Sequence, residues 1–174
     1  ELGVPNNQIF IQGQSCGGLV TMMFMSKYPG KVAGGISTNP ACYGNLSYKY
    51  KVKKIGVEKA LEKFKKKLPG PAYFREKQIK DISKAKNLPV LVFTHPNDPY
   101  DGLLSDWVEK IPGVKRVIIS QDYKINNKSC YMVGINNGER WKKKVKKNAH
   151  FLTEADCFQY YNPVILDYIA SRLK

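Results

Sequence analysis

Gln8-Ile9-Phe10-Ile11-Gln12-Gly13-Gln14-Ser15-Cys16-Gly17-Gly18-Leu19-Val20 is the stretch on which the rest of this chain turns. It opens as a short apolar strand, bends through Gly-Gln-Ser-Cys-Gly and continues into an apolar helix. A serine at so sharp a strand-to-helix turn needs a strained backbone. The same crowding predicts that a side chain at Gly13 or at Gly17 would collide with neighbouring backbone. The result is a hydroxyl held out at the carboxyl end of a strand, above a helix N-terminus. G-x-S-x-G by itself recurs by chance; the flanking strand and helix make it a nucleophile-elbow signal with Ser15 at the tip.

Downstream, residues 17–28 are apolar nearly all round, which predicts a helix buried on most sides with Met22, Met23 and Met25 filling the core. Tyr28-Pro29-Gly30 stops it, and 31–37 reads as a second strand. Strand, helix and strand at this spacing predict a parallel pair with a right-handed crossover. Residues 38–86 are the least strand-like. Val57, Leu61, Phe64 and Leu68 recur at helical spacing, giving an amphipathic helix over 56–68 ended by Pro69-Gly70-Pro71, and a second helix falls within 73–85. The stretch reads as a cap-like insertion over the strand ends plus a connecting helix, or as a plain crossover.

Residues 88–94 are the clearest buried strand, continuously apolar as in a parallel sheet covered on both faces. The loop His95-Pro96-Asn97-Asp98-Pro99-Tyr100 follows, then a helix over 101–111 and a strand over 114–120. Turn signals at Asn126-Asn127 and Asn136-Asn137-Gly138 predict a hairpin-like excursion within 121–147. The final helix takes Asn162 as N-cap and Pro163 in its first turn, with Ile165, Ile169 and Leu173 facing inward.

Composition bounds the function. With 174 residues, 43% hydrophobic and 25% charged, the chain can bury one sizeable core, and no apolar run is long enough to span a bilayer. Glu1 leads almost directly into a core strand without an initiator Met, which reads as a piece of a longer or trimmed protein. Twenty-nine Lys and Arg against 14 Asp and Glu give +15. The lysine clusters at 49–54, 63–67 and 142–147 fall in what read as exposed helix or loop, and they read as solvated faces rather than as a nucleic-acid surface. Cys16, Cys42, Cys130 and Cys157 show no C-x-x-C spacing, and His95 and His150 are the only histidines, so neither a metal nor a cofactor is expected. Cys130 and Cys157 flank the last histidine. They read either as a pair, which would suit a secreted or periplasmic protein, or as free thiols.

A serine hydroxyl needs a base to take its proton and a third group to orient that base. Ser15, Asp98 and His150 follow one another in the order nucleophile, acid, histidine. Each lies just past the carboxyl end of a strand or in the loop before the last helix, so all three would project from one sheet edge. Asp101 is the alternative acid. His95, in the acid loop, reads as structural or as part of the site's rim. Cys16 points away from the site, and its backbone N–H is the candidate oxyanion donor.

Gly13-Gln14-Ser15-Cys16-Gly17-Gly18, the strand 88–94 with His-Pro-Asn-Asp-Pro, and Asn-Ala-His together resemble the carboxyl-terminal half of an α/β-hydrolase. The double glycine resembles the dienelactone-hydrolase-like and prolyl-oligopeptidase-like branches. The resemblance implies a partial α/β-hydrolase fold over 1–174: a mostly parallel sheet from the nucleophile strand onward, helices on both faces, and the first strands lacking. It implies a serine hydrolase of carboxylic esters in which Ser15 forms an acyl-enzyme, His150 is base and then acid, and Asp98 orients the imidazole. The family's second oxyanion N–H comes from an upstream loop, so the chain by itself is expected to be inactive or poorly folded. The alternatives are a serine peptidase of the prolyl-oligopeptidase type, a non-catalytic binding protein of the same fold and, more distantly, a basic nucleic-acid binder. Nothing in the sequence specifies oligomeric state or compartment.

Overall fold

The computed structural model describes residues 3–119, 124–125, 128–129, 131–136, 139–144, 149–156 and 158–173. Its centre is a four-stranded, wholly parallel sheet in the order β1 (Phe10–Gln14), β2 (Gly34–Thr38), β3 (Val90–Thr94) and β4 (Val114–Ile118). Gln14 lies opposite Thr38, and Thr38 opposite Phe93, so the carboxyl ends of β1 to β3 form one continuous edge.

The unbroken apolar run of β3 is split by the two-residue pleat. Leu91 and Phe93 join Ile36, Leu152, Phe158 and Tyr168 on one face; Val90 and Val92 join Leu19, Met22, Met25, Ile82 and Val108 on the other. α6 (Asn162–Arg172) covers the first face. The second is covered by α1 (Cys16–Lys27), by α5 (Pro69–Ile82) and by a 3₁₀ helix over Gly102–Lys110. A parallel sheet with helices on both faces is what the sequence led us to expect.

Several boundaries moved for identifiable reasons. α1 buries one side only: Met22 and Met25 enter the core, Met23 is half-buried and Val20 is exposed, because the sheet covers a single flank of the helix. Between β2 and β3 lie α2 (Leu46–Lys49), α3 (Val52–Ile55), α4 (Val57–Lys67) and α5. They share a small core of their own: Leu46, Tyr50, Val52, Ala60, Phe64 and Ala72, closed by Leu104. Pro69-Gly70-Pro71 does follow the end of α4, but it also opens α5, since a first helical turn needs no amide hydrogens from its prolines.

The segment after the acid loop is a 3₁₀ helix rather than an α-helix. Gly102, Ser105 and Val108 are all buried, and a three-residue repeat aligns them along one side of the helix. In α6, Asn162 is the first helical residue, with Tyr161 at the cap position. Tyr168 is buried and Val164, Ile165 and Ile169 pack beside it, whereas Leu173, expected inside, is exposed.

Beyond β4, β5 (Lys124–Ile125) pairs antiparallel with β6 (Lys128–Ser129), and β7 (Tyr131–Asn136) with β8 (Glu139–Lys144). That is the expected hairpin excursion. Asn126, Asn127, Asn137, Gly138, Cys130 and Cys157 lie outside the described residues. Among the described residues no helix is long and apolar enough to cross a membrane.

Candidate active site

The turn between β1 and α1 places Ser15 at φ 56° and ψ −125°, a backbone conformation seldom adopted by a residue with a side chain. Two close approaches impose it. A Cβ at Gly13 would overlap the carbonyl of Gly17, and one at Gly18 would lie 2.8 Å from Ser37 Oγ and 3.1 Å from the Gly13 carbonyl. Gly17 was expected to be the second crowded glycine, but a Cβ there meets open space. The first turn of α1 directs Gly18 at β2 and Gly17 outward, so the steric demand sits one residue later than the motif suggests.

Backbone bonds fasten this elbow to the next strand. Ser15 N–H donates to the Thr38 carbonyl (2.9 Å), and Ala41 N–H donates to the Ser15 carbonyl (3.2 Å). Cys16, the residue after the serine, is joined by a disulfide to Cys42, 26 positions on. As the first residue of α1, Cys16 carries a peptide N–H without an intrahelical acceptor.

The acid loop leaves β3 as a compact turn held by its own side chains. Asn97 N–H donates to His95 Nδ1 (2.9 Å), Asp98 N–H to the His95 carbonyl (2.9 Å), and Tyr100 N–H to Asp98 Oδ1 (2.9 Å). His95 is fully buried. It therefore belongs to the framework of the loop and not to an exposed rim.

His150 joins the two other candidates. Its Nδ1 lies 3.0 Å from Asp98 Oδ1 and its Nε2 lies 2.7 Å from Ser15 Oγ. The imidazole and the Asp98 carboxyl are both almost completely buried, at 1% and 2% exposure. With Nδ1–H donating to the carboxylate, Nε2 is free to accept from the serine. The Ser15 hydroxyl has a second acceptor, the Ala41 carbonyl at 3.1 Å.

Asp101, the alternative acid, goes elsewhere. Its Oδ2 is 3.0 Å from Arg75 Nη2 in a buried ion pair, and the same guanidinium nitrogen donates to the Leu104 carbonyl at 2.9 Å. Burial pushes the Asp101 carboxyl above its ordinary pKa, while Arg75 pulls it back down. The structure thus brings Ser15, His150 and Asp98 together and assigns Asp101 to the helical layer.

Two residues of this arrangement escaped the sequence reading. Asn39, at φ 44°, donates from Nδ2 to the carbonyls of Ala149 (2.7 Å) and His150 (2.9 Å) and accepts the His95 N–H at 3.1 Å. It ties the histidine loop to the acid loop. Its signal was slight: an asparagine, tolerant of positive φ, between a buried strand and Pro40. Tyr100 stacks on the His150 ring, centroids 3.8 Å apart and planes 18° from parallel. Cys16 and Cys42 could have been paired only by placing β1 beside β2, whose carboxyl ends they follow. Among the described residues no group of three His, Cys, Asp or Glu side chains is placed to hold a metal ion.

The chain superposes on an esterase of Pyrococcus furiosus (16% identity, 63% of this chain and 44% of that one, TM-score 0.36). It also superposes on the naproxen esterase (carboxylesterase NP) of Bacillus subtilis (17% identity, 68% and 53%, TM-score 0.39) and on the lip1 protein of Acinetobacter baumannii (14% identity, 94% and 62%, TM-score 0.43). It spans less than two thirds of the length of each. No curated protein matches it. Residues 2–100, more than half of the chain, match the family described as Hydrolase_4, serine aminopeptidase S33. By that match and by its parallel sheet the chain belongs to this α/β-hydrolase family.

Proposed function

We propose that Ser15, His150 and Asp98 are the catalytic triad of a serine hydrolase that cleaves carboxylic esters through an acyl-enzyme. The observation that carries this reading is the buried imidazole bonded at one nitrogen to Ser15 Oγ, 2.7 Å away, and at the other to Asp98 Oδ1, 3.0 Å away.

The chemistry follows from the donors. Ser15 Oγ attacks the ester carbonyl carbon as its proton passes to His150 Nε2, and Asp98 stabilises the imidazolium that forms. The carbonyl oxygen becomes an oxyanion facing the N–H of Cys16 at the head of α1. As the C–O bond to the alcohol breaks, the imidazolium returns its proton to the leaving oxygen. Water then adds to the acyl carbon, again losing a proton to Nε2, and the carboxylic acid departs as Ser15 is restored. The Ala41 carbonyl offers the resting serine a second acceptor, which the reaction must forgo.

The test is covalent labelling of the protein with a serine-directed fluorophosphonate, followed by mass mapping. Label is expected on Ser15 and absent from Ser15→Ala; label retained by that variant would end the proposal. The family's description as a serine aminopeptidase favours a second reading, cleavage of peptide bonds. Faster turnover of aminoacyl p-nitroanilides than of p-nitrophenyl esters would select it.

A further inference from the structure

We propose that Tyr100 is a positioning residue: through its ring it holds the His150 imidazole in the plane that meets Ser15, and through its backbone it couples that ring to the helical layer. The inference rests on the triad reading above. Its geometric core does not, because the stack exists whether or not the site turns over.

Three independent contacts converge on Tyr100. Its ring lies on the imidazole at 3.8 Å and 18°, a near-parallel stack. Its N–H donates to Asp98 Oδ1, the same oxygen that meets His150 Nδ1, so one residue fixes both the acid and the face of the histidine. Its carbonyl accepts the N–H of Ser47 at 2.6 Å, and the Pro99 carbonyl beside it accepts the N–H of Tyr48 at 2.9 Å. Both donors lie in α2, so the helical layer grips the acid loop at the tyrosine.

The other restraints on His150 leave this job undone. Asn39 holds only backbone carbonyls, and Phe151 touches the ring edge-on, with centroids 5.1 Å apart. The bonds from Nδ1 to Asp98 and from Nε2 to Ser15 anchor two atoms of the imidazole and leave the tilt of its plane about the line between them unset. Among the described residues Tyr100 is the ring stacked flat on the imidazole, and a tilt of that imidazole would have to displace it. A misplacement of about 1 Å at a reacting group is enough to cost on the order of a hundredfold in rate.

Tyr100→Leu removes the aromatic face while keeping the bulk, and Tyr100→Phe keeps the face while losing the hydroxyl. With p-nitrophenyl acetate, Tyr100→Leu is expected to lower kcat by about tenfold to a hundredfold with little change in KM. Tyr100→Phe should restore kcat to within a few-fold. A loss shared equally by both variants, or confined to KM, would overturn the proposal. The NMR signals of the His150 ring provide a readout that needs no turnover. Loss of the stacked ring current should move the ring-proton resonances downfield and lower the ring's order parameter in Tyr100→Leu and not in Tyr100→Phe. Unmoved resonances in folded Tyr100→Leu would sink the inference even for an inert protein. If Tyr100→Leu does not fold, unmoved ring signals and rates in Tyr100→Phe sustain the proposal, and a Phe variant that loses both refutes it. Failure of Ser15 to take the fluorophosphonate would refute the triad alone.

Discussion

The carboxyl edge of the sheet and the helical layer over α2 to α5 are built in opposite ways. At the edge, strand ends that are far apart in sequence are locked by buried polar bonds: Asn39 to the histidine loop, Ser15 to Thr38, Asp98 to His150. The helical layer turns its lysines to solvent, buries a modest apolar cluster and meets the edge through the Arg75–Asp101 pair and the α2 amides. Polar groups buried at fixed positions hold the edge in one arrangement. A layer held by a small apolar cluster tolerates change on its lysine-bearing outer face. Asp98 and Asp101, three residues apart on one loop, fall on either side of this divide.

The sharpest way to test the divide is to neutralise each carboxylate. Asp98→Asn leaves the shape but replaces the carboxylate by a neutral amide whose NH2 can donate to His150 Nδ1 and so favour the wrong tautomer. We expect kcat for ester hydrolysis to fall by about 10⁴-fold with the melting temperature nearly unchanged. Asp101→Leu, which removes the acceptor altogether, should do the reverse, sparing the rate within a few-fold and destabilising the fold by about 3–5 kcal/mol in urea titrations, because the Arg75 guanidinium is left buried with only the Leu104 carbonyl to accept from it. If the two variants behaved alike, the division between edge and layer would be wrong.

The pH dependence of stability separates the same two groups. Burial raises the Asp101 carboxyl, so the native state holds that proton more readily than the unfolded chain does. Its contribution to stability is fully present below the unfolded value and is lost as pH rises through the folded one. Urea midpoints measured across that acid interval should show a component that falls with rising pH and disappears in Asp101→Asn. Its persistence in the variant would mean another group is responsible.

The smallest expected effects lie at the elbow glycines. Gly13→Ala must push its methyl into the Gly17 carbonyl. It should cost about 1–3 kcal/mol and slow Ser15 labelling together with it. Gly17→Ala meets open space on a helix and should change stability by less than about 1 kcal/mol, in the favourable direction. A Gly17→Ala loss equal to that of Gly13→Ala would restore the motif's simple symmetry.

Much of the fold was legible because its signals are local. An apolar run such as residues 88–94 has one way to be buried on both faces, and Tyr28-Pro29-Gly30 has one way to end a helix. The elbow was legible for the same reason, since strand, turn and helix are contiguous. Where local reasoning failed, two neighbours competed for one role. Gly17 and Gly18 differ only in which way the first turn of α1 points them, and Pro69 can end one helix while beginning the next. The segment from Gly102 to Lys110 took a tighter helix than its pattern implied, with Gly102, Ser105 and Val108 buried at three-residue spacing.

The sequence by itself determined that a serine would stand at the head of a helix packed on the sheet, and that an aspartate and a histidine would follow in order at the same sheet edge. Turn sterics and hydrophobic periodicity act over a few residues and are written there in full. The tertiary structure decided which carboxylate meets His150, that Asn39 ties the loops, that Cys16 reaches Cys42 and that Tyr100 lies on the imidazole. Those contacts join positions 26 to 111 residues apart, or depend on where a loop's side chains turn once it is held. No local preference encodes a distance that only strand order and register create.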